Sequence, residues 1–418
     1  MVILQSQLKK ELNKKITIIG INYYPEDTAI GLYTSQLANY FHDKGFQVSI
    51  ITGFPYYPAW KINSEYNSKK TFYNETINGI DIYRYKQYVP ANPTFFKRVL
   101  HLLDFTLGTF VNIFKIKEAD VVLCIVPFTA TIFLGNILAK LKGAKLWVHI
   151  QDFEFDAATD SNILKNSPSK SILFKFLFWI EKTLLNKTNL ISAISSSMIL
   201  KLTFKVNKNK KKILLPNWVD LNFINPETSV NHPYLQSSKF KILYSGNIGE
   251  KQDWDFFIAV VNALKNVEDV EIIVVGNGSK RDWLKNKLVY LDNISFYEPV
   301  SYNQLSNLLC SADLHVLFQK NDVIDTVMPS KILAMMASKK PSLITGNLKS
   351  EVCSIINTSK AGEYLDSKDL NKVLNFIETL KLNPHLSYRY GTSARNYVSA
   401  NFSKEEVLKK FEKVLIEL

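Results

Sequence analysis

Phe240-Lys-Ile-Leu-Tyr-Ser-Gly-Asn-Ile-Gly-Glu-Lys251 joins an apolar run to a turn that holds two glycines and a lysine. The run Phe240–Tyr244 reads as a buried strand, and the turn after it lets backbone N–H groups face an anion. Further along, Met328-Pro-Ser-Lys331 sets a proline, a hydroxyl and a cation just before the apolar run Ile332–Ala337. Proline presets a helix start, and a helix N-terminus is the other standard place to hold a phosphate. Either piece alone describes a glycine turn or an ordinary helix cap. As an ordered pair in one α/β half they point to a nucleotide diphosphate held between them.

Working outward from these turns, strands and helices alternate along the chain. In the first half the strands are Ile16–Ile21, Gln47–Ile51, Asp120–Val126, Lys145–Ile150 and, as the last one, Asn189–Ile194. The stretch Leu32–Lys44 reads as a helix stopped by Gly45. After the basic run Lys208–Lys212 a second set follows: Ile242–Tyr244, Val270–Val275, Asn293–Phe296, Leu314–Phe318 and Ser342–Thr345. Strands separated by helices imply parallel sheets with right-handed crossovers. The expected fold is α/β, with two Rossmann-like domains facing across a cleft and ligands at the carboxyl ends of their strands. Expected boundaries are 1–215 for the first domain, 216–400 for the second, and 401–418 for a terminal helix.

Composition agrees with two ordinary folded domains. At 418 residues the chain is too long for one core, and 46% hydrophobic with 21% charged residues excludes a disordered protein. A net charge of +13 suggests an anionic partner: phosphorylated substrate, phospholipid headgroups or nucleic acid. Nucleic acid would rest on charge alone, since no recognisable module is present. Cys124, Cys310 and Cys353 lie in apolar or helical surroundings without a CxxC spacing, so they read as buried reduced thiols of a cytosolic protein. Met1–Lys15 lacks the apolar core of a secretory leader. The uncharged run Val121–Ala139 is marginal for a membrane span and reads better as a buried strand, a break at Pro127 and a helix over Thr129–Lys142.

Ile21–Glu26, Ile30–Tyr33, Gly53-Phe-Pro-Tyr-Tyr-Pro58, His149-Ile-Gln-Asp-Phe-Glu154, Tyr244–Lys251 and Met328–Lys331 resemble, in order, the family 4 retaining glycosyltransferases of GT-B fold. More narrowly they are similar to the bacterial subgroup containing a colanic acid fucosyltransferase and the O-antigen N-acetyl-L-fucosamine transferase. The resemblance implies transfer of a sugar from a nucleotide diphosphate donor (UDP or GDP) with retained anomeric configuration and no essential metal or other cofactor. It also implies that the closing helix Lys404–Glu417 crosses back onto the first domain.

The same resemblance distributes roles. It makes Lys251 the phosphate lysine, with Pro329, Ser330 and Lys331 at the second phosphate turn. Gly246, Asn247 and Gly249 line the first turn, where Asn247 replaces the arginine of many relatives. Asn277, Gly278, Pro299 and Val300 fall beside the nucleotide base, and Gly31 opens a helix near the donor phosphates. Tyr23, Tyr24 and Glu26 admit the acceptor. His149 falls near the reacting centre; Asp152 either orients it or contacts the acceptor, as Glu154 or Asp156 also would. Two glutamates usual in the family are missing: the matching positions carry Ala334 and, near the first, Asp325 or Thr326.

Basic and aromatic residues gather in Phe95–Leu100, Phe110–Lys117, Ile172–Trp179 and Lys182. They read either as helices lying on an anionic membrane, which suits a polyprenyl-diphosphate-linked glycan acceptor at the inner face of the cell membrane, or as core aromatics with solvated lysines. In the first reading Phe95, Phe96 and Leu100 insert. A nucleotide-sugar epimerase of the same fold and a non-catalytic scaffold subunit stay open beside the transferase.

Overall fold

The computed structural model describes residues 14–126, 129–153, 168–322, 330–366 and 369–418; side chains are described for these except Phe95, residues 168–174 and Ser330. Pro127 therefore lies outside the described residues.

The chain divides into two compact units, Met1–Pro216 with Leu408–Leu418, and Asn217–Val407. The return to the first unit comes at Leu408, later than the expected position 401. Residues just before it are tied to the second unit: Val219 N donates to Phe402 O at 2.9 Å, and Lys404 Nζ meets Asp220 Oδ2 at 2.9 Å.

The first unit runs β1 (Lys15–Ile19), α1 (Ala29–Asp43), β2 (Gln47–Gly53), β3 (Phe72–Ile77), β4 (Ile80–Tyr85), α2 (Phe95–Ile113), β5 (Val121–Val126), α3 (Thr129–Lys142), β6 (Lys145–Ile150), α4 (Pro168–Asn186), β7 (Leu190–Ala193), α5 (Ser196–Lys205) and β8 (Lys212–Leu214). Its sheet is ordered β3-β4-β2-β1-β5-β6-β7-β8 and is parallel except for the β3–β4 pair. Every residue of β5 is buried, as expected for a strand covered on both faces. Asn189–Ile194 is not the last strand here. Three residues at the end of the basic run, Lys212–Leu214, pair with β7, and their lysine-rich approach guards that open edge.

The second unit runs β9 (Phe240–Ser245), α6 (Trp254–Ala263), β10 (Val270–Val275), α7 (Arg281–Leu288), β11 (Ile294–Tyr297), α8 (Leu305–Cys310), β12 (Leu314–Phe318), α9 (Ser330–Ala337), β13 (Ser342–Thr345), α10 (Glu351–Ser359), β14 (Gly362–Leu365), α11 (Leu370–Leu382), α12 (Pro384–Phe402) and α13 (Lys404–Glu417), the last shared with the first unit. All neighbours in its sheet, β11-β10-β9-β12-β13-β14, are parallel. Strand order reverses between β9 and β12 here, and between β1 and β5 in the first unit. Those switch points are where parallel sheets open a crevice beyond their carboxyl ends.

In the first unit the two sheet faces carry different helices. Phe411 of α13 packs on Trp147 and His149, the odd-numbered side of β6, and Tyr40 of α1 bonds Glu412. Helix α3 covers the other side, where Gly135 lies against Cys124 and Leu146. Helices α2 and α4 flank α3 on that face.

No described helix is long and apolar enough to cross a membrane, and the uncharged run 121–139 is shared between β5 and α3. Cys124 and Cys353 are buried and Cys310 is half-buried, all as free thiols.

Candidate functional site

In the second unit, three turns leave the carboxyl ends of the adjacent strands β9, β10 and β11. The first two interleave as backbone against backbone. Gly246 N donates to Val275 O at 2.9 Å, Ile248 N to Asn277 O at 2.9 Å, and Lys280 N to Ile248 O at 3.0 Å. A Cβ on Gly276 would stand 1.9 Å from Gly246 O, so only glycine lets the turns approach this closely. Gly246 itself has φ +136°, a region other residues rarely enter.

The remaining groups of the first turn are pinned from below. Tyr244 Oη donates to Asn247 O at 2.7 Å, Gly249 N donates to Gln252 Oε1 at 3.1 Å, and Trp254 Nε1 donates to Gly249 O at 2.7 Å. Burial pushes the Tyr244 phenol well above its ordinary range, so it stays a neutral donor. Asp253 then caps α6 by accepting from Phe256 N at 3.1 Å.

Onto this platform comes Lys331, from the first turn of α9. Its Nζ stands 5.0 Å from the centre of the Tyr244 ring, 3.5 Å from the Tyr244 hydroxyl and 3.2 Å from where a Gly246 Cβ would be. Lys331, the last residue of the second stretch singled out in the sequence, is thus brought beside the first turn. Lys251, Asn247 and Asn277 are exposed on the rim, while Gly278 sits closed over Ile248 O. Pro299 is exposed and Val300 packs against the core, beside the Arg281–Glu298 pair at 2.7 Å. Ala334 lies one turn beyond Lys331 and packs against the core. Pro329, Asp325 and Thr326 lie outside the described residues; Ser330 opens α9, with its side chain likewise outside them.

The first unit holds its loops by a different device. Glu26 is 5% exposed, yet its carboxylate is fully engaged. Oε1 accepts from Tyr56 N and Tyr57 N, each at 2.8 Å, and Oε2 accepts from Asn22 Nδ2 at 2.8 Å. Burial raises its pKa, and those hydrogen bonds oppose the rise. Gly31 fits because a Cβ there would meet Glu26 Cβ at 2.7 Å. Sequence reasoning set Glu26 and Tyr23 at an acceptor; in the structure Glu26 bridges two loops beside a pocket, and Tyr23 is buried. Tyr24 remains exposed.

Sequence reasoning missed Arg84. It is wholly buried, pairs with Glu75 Oε1 at 2.5 Å, and donates to Gly53 O at 3.1 Å and Tyr24 O at 2.5 Å. The available signal was phase: Ile80, Ile82 and Arg84 share the buried side of β4. Between the clasped loops lies a pocket of about 430 Å³ lined by Glu26, Asp27, Tyr56, Tyr57, Lys61 and Asn63, among others.

His149 lies on β6, 1% exposed, its ring edge-on to Phe411 at 5.1 Å. Burial lowers its pKa to about 3, so the ring is neutral at physiological pH. Gln151 Nε2 stands 3.0 Å from Nε2, and Ser192 Oγ 2.9 Å from Nδ1. With the amide donating to Nε2, the proton sits on Nδ1 and faces Ser192. The ring's neighbours are therefore Ser192 and Gln151, while Asp152 Oδ1 accepts from Phe153 N at 2.7 Å. Glu154 and Asp156 lie outside the described residues.

Comparison with known proteins adds a further observation. Residues 239–381 match the family model described as "Glycosyl transferases group 1". Over 412 residues the chain is 30% identical to WcaI of Escherichia coli (strain K12), whose name places it in colanic acid biosynthesis as a glycosyl transferase; 95% of this chain and 98% of that one are covered. Among solved structures, a sucrose-phosphate synthase from Thermosynechococcus elongatus superposes with TM-score 0.71 at 13% identity, covering 96% of this chain and 98% of that one. The Anabaena protein HepE, solved in complex with UDP, gives TM-score 0.65 at 13% identity, over 97% and 100%. At such identities these structures speak to the fold, which is GT-B.

Proposed function

This chain belongs to the group 1 glycosyltransferases, and from that premise we propose that it moves a sugar, with retained anomeric configuration, from a nucleotide diphosphate donor to a lipid-linked glycan during assembly of a bacterial surface polysaccharide. The WcaI likeness supports the pathway class, and the notion of an L-fucose or N-acetyl-L-fucosamine type of sugar rests on the motif resemblance. The single observation that carries the donor reading is Lys331 Nζ standing beside the Gly246 turn.

Breaking the sugar–diphosphate bond develops negative charge on the leaving phosphate and oxocarbenium character on the sugar. Fixed positive potential at the phosphates lowers that barrier more than it stabilises the ground state. In this reading Lys331, Lys251 and the start of α9 supply that potential without a metal. Gly276–Gly278, Pro299 and Val300 flank the base, and the donor is a UDP or GDP sugar. A neutral His149 contributes a dipole and an ordered wall, not a proton. The acceptor enters through the first unit, at the pocket of Tyr56, Tyr57 and Lys61, and the enzyme works at the inner face of the membrane.

The test is release of free nucleoside diphosphate from a panel of UDP and GDP sugars, with lipid-linked acceptor present, followed by NMR of the new linkage. Transfer with retention in wild type, lost in Lys331→Ala while the melting temperature holds, is the expected result. Conversion of the donor without acceptor into an epimer, or an inverted product, would overturn it.

A further inference from the structure

Helix α2 is apolar on its outer side as well as its inner one. Its exposed side is an apolar stripe of Phe96, Leu100, Leu103, Leu107, Phe110 and Phe114, with Phe96 79% and Leu107 75% exposed. That spacing keeps one face of an α-helix in register for nearly five turns. Its inward side, beside the buried Phe105 and Ile113, also carries buried polar atoms that find no hydrogen-bond partner among the described residues: His101 Nε2, Thr109 Oγ1 and Asn112 Oδ1. Each such orphan costs free energy, and an exposed apolar stripe gains none in water. An apolar medium over the outer face would bury that stripe and favour the arrangement.

The neighbours indicate which medium. On α4, Phe176 and Trp179 are exposed and stacked at 5.9 Å. Lys97, Lys140, Lys175 and Lys182 are exposed on the helices of this face. Helices α2 to α5 contain two acids, Asp104 and Glu181, and protein partners hold both: Tyr88 N and Tyr85 Oη on the first, Lys205 on the second. On the opposite sheet face, α13 mixes four glutamates with its lysines. A second copy of this chain would bring like charges together around the stripe. Anionic headgroups around an acyl layer match both the cations and the aromatic-aliphatic surface.

We propose that the outer face of α2, framed by the lysines of α3 and α4, inserts into the headgroup–acyl boundary of an anionic bilayer. This rests on the transferase reading only for its purpose, which is to bring a lipid-linked acceptor to the pocket. The inward side of α2 is that pocket's support. Phe105 packs with Tyr56 and Ile21, His101 lies 4.7 Å from the Tyr56 ring, and Arg98 stands over Trp60 at 5.2 Å. One helix diameter, about 10 Å, thus separates the apolar stripe from the pocket wall.

The test is vesicle co-sedimentation of the full chain, without donor or acceptor, so that a failed transfer assay leaves the result untouched. Phosphatidylcholine vesicles with about 30% phosphatidylglycerol are compared with phosphatidylcholine alone at about 0.05 M salt. Wild type is expected to partition preferentially to the anionic vesicles. Phe96→Ser/Leu103→Ser/Leu107→Ser should weaken partitioning about 100-fold, with an unchanged circular-dichroism melt. Lys97→Gln/Lys140→Gln, which leaves the stripe intact, should weaken it about 10- to 30-fold and flatten its salt dependence. Equal binding to both vesicles, or no effect of either variant, overturns the proposal. So does a concentration-dependent dimer in sedimentation velocity that the serine variant abolishes, since the stripe would then cover a second copy.

Discussion

The two sheets share an architecture, yet their crevices are held open by opposite means. In the second unit, turn lies on turn through backbone groups, with Gly276 against Gly246 O and Ile248 N on Asn277 O. In the first unit the described loops rely on long side chains as well as on backbone contacts such as Phe54 N to Tyr85 O at 3.1 Å. A buried carboxylate, Glu26, and a buried guanidinium, Arg84, reach across from distant parts of the chain and collect their amides and carbonyls. Backbone stacking needs small residues at fixed local positions. Charge clasping needs one long side chain whose partners are set only by the finished fold. The first unit's loops are correspondingly more exposed to a single substitution, because an unpaired buried charge costs more than a lost contact.

That contrast is sharpest at Arg84. Arg84→Met strands Glu75 and two carbonyls, and should lower unfolding free energy by about 3–5 kcal/mol, read as a fall in the urea midpoint. A loss under about 1 kcal/mol would remove the distinction between the units. Next comes the second unit's own weak point, which is rate rather than stability. Lys251→Ala, like Lys331→Ala, should slow transfer by about 10²–10³ at saturating donor while the melting temperature stays put. Wild-type turnover in either variant would show that the backbone platform suffices alone.

A third measurement finds what the units have in common. Each buries a neutral histidine, His149 on β6 and His315 on β12, both with pKa lowered by burial to about 3. A depressed folded pKa means that the unfolded chain takes up the proton first. Stability is then complete above about pH 6.5 and falls as pH drops toward 3, by about 1.4 kcal/mol per pH unit for each ring. Replacing His149 by glutamine should remove one of these slopes in pH-dependent urea melts and leave the other. Smaller still is Glu26→Gln, which keeps the clasp's shape but sets an amide against Asn22; about 1 kcal/mol and a largely intact pocket are expected, by melt and by crystal structure. Smallest is chelation: EDTA should leave the rate unchanged, and loss of activity restored by magnesium would mean that the lysines do not carry the phosphate charge alone.

The same contrast explains what was legible in the sequence. Phe240–Lys251 and Met328–Lys331 announce themselves because strand, glycine and helix-start signals are local, and the alternation of elements around them implies both parallel sheets. The stripe on α2 was half-visible as clustered phenylalanine and lysine, but which side faces out depends on β2 and β4, to which it packs. Arg84 went unread, since nothing nearby in the chain says that Tyr24 O and Gly53 O will converge on it. Glu26 was placed at an acceptor, but its hold on the amides of Tyr56 and Tyr57 was not legible, because they come from another loop. The strand Lys212–Leu214 escaped because its pairing edge, not its own residues, makes it a strand.

The sharing of α13 has a consequence for biosynthesis. Trp147 and His149 are covered by Phe411, within the segment Leu408–Leu418 that belongs to the first unit. All of Asn217–Val407 must leave the ribosome before that cover exists, which at about 5–20 residues per second takes on the order of 10–40 seconds. During that interval the nascent first unit carries an open indole and imidazole face that any chaperone can read. The part of the protein made first is therefore the last to be finished.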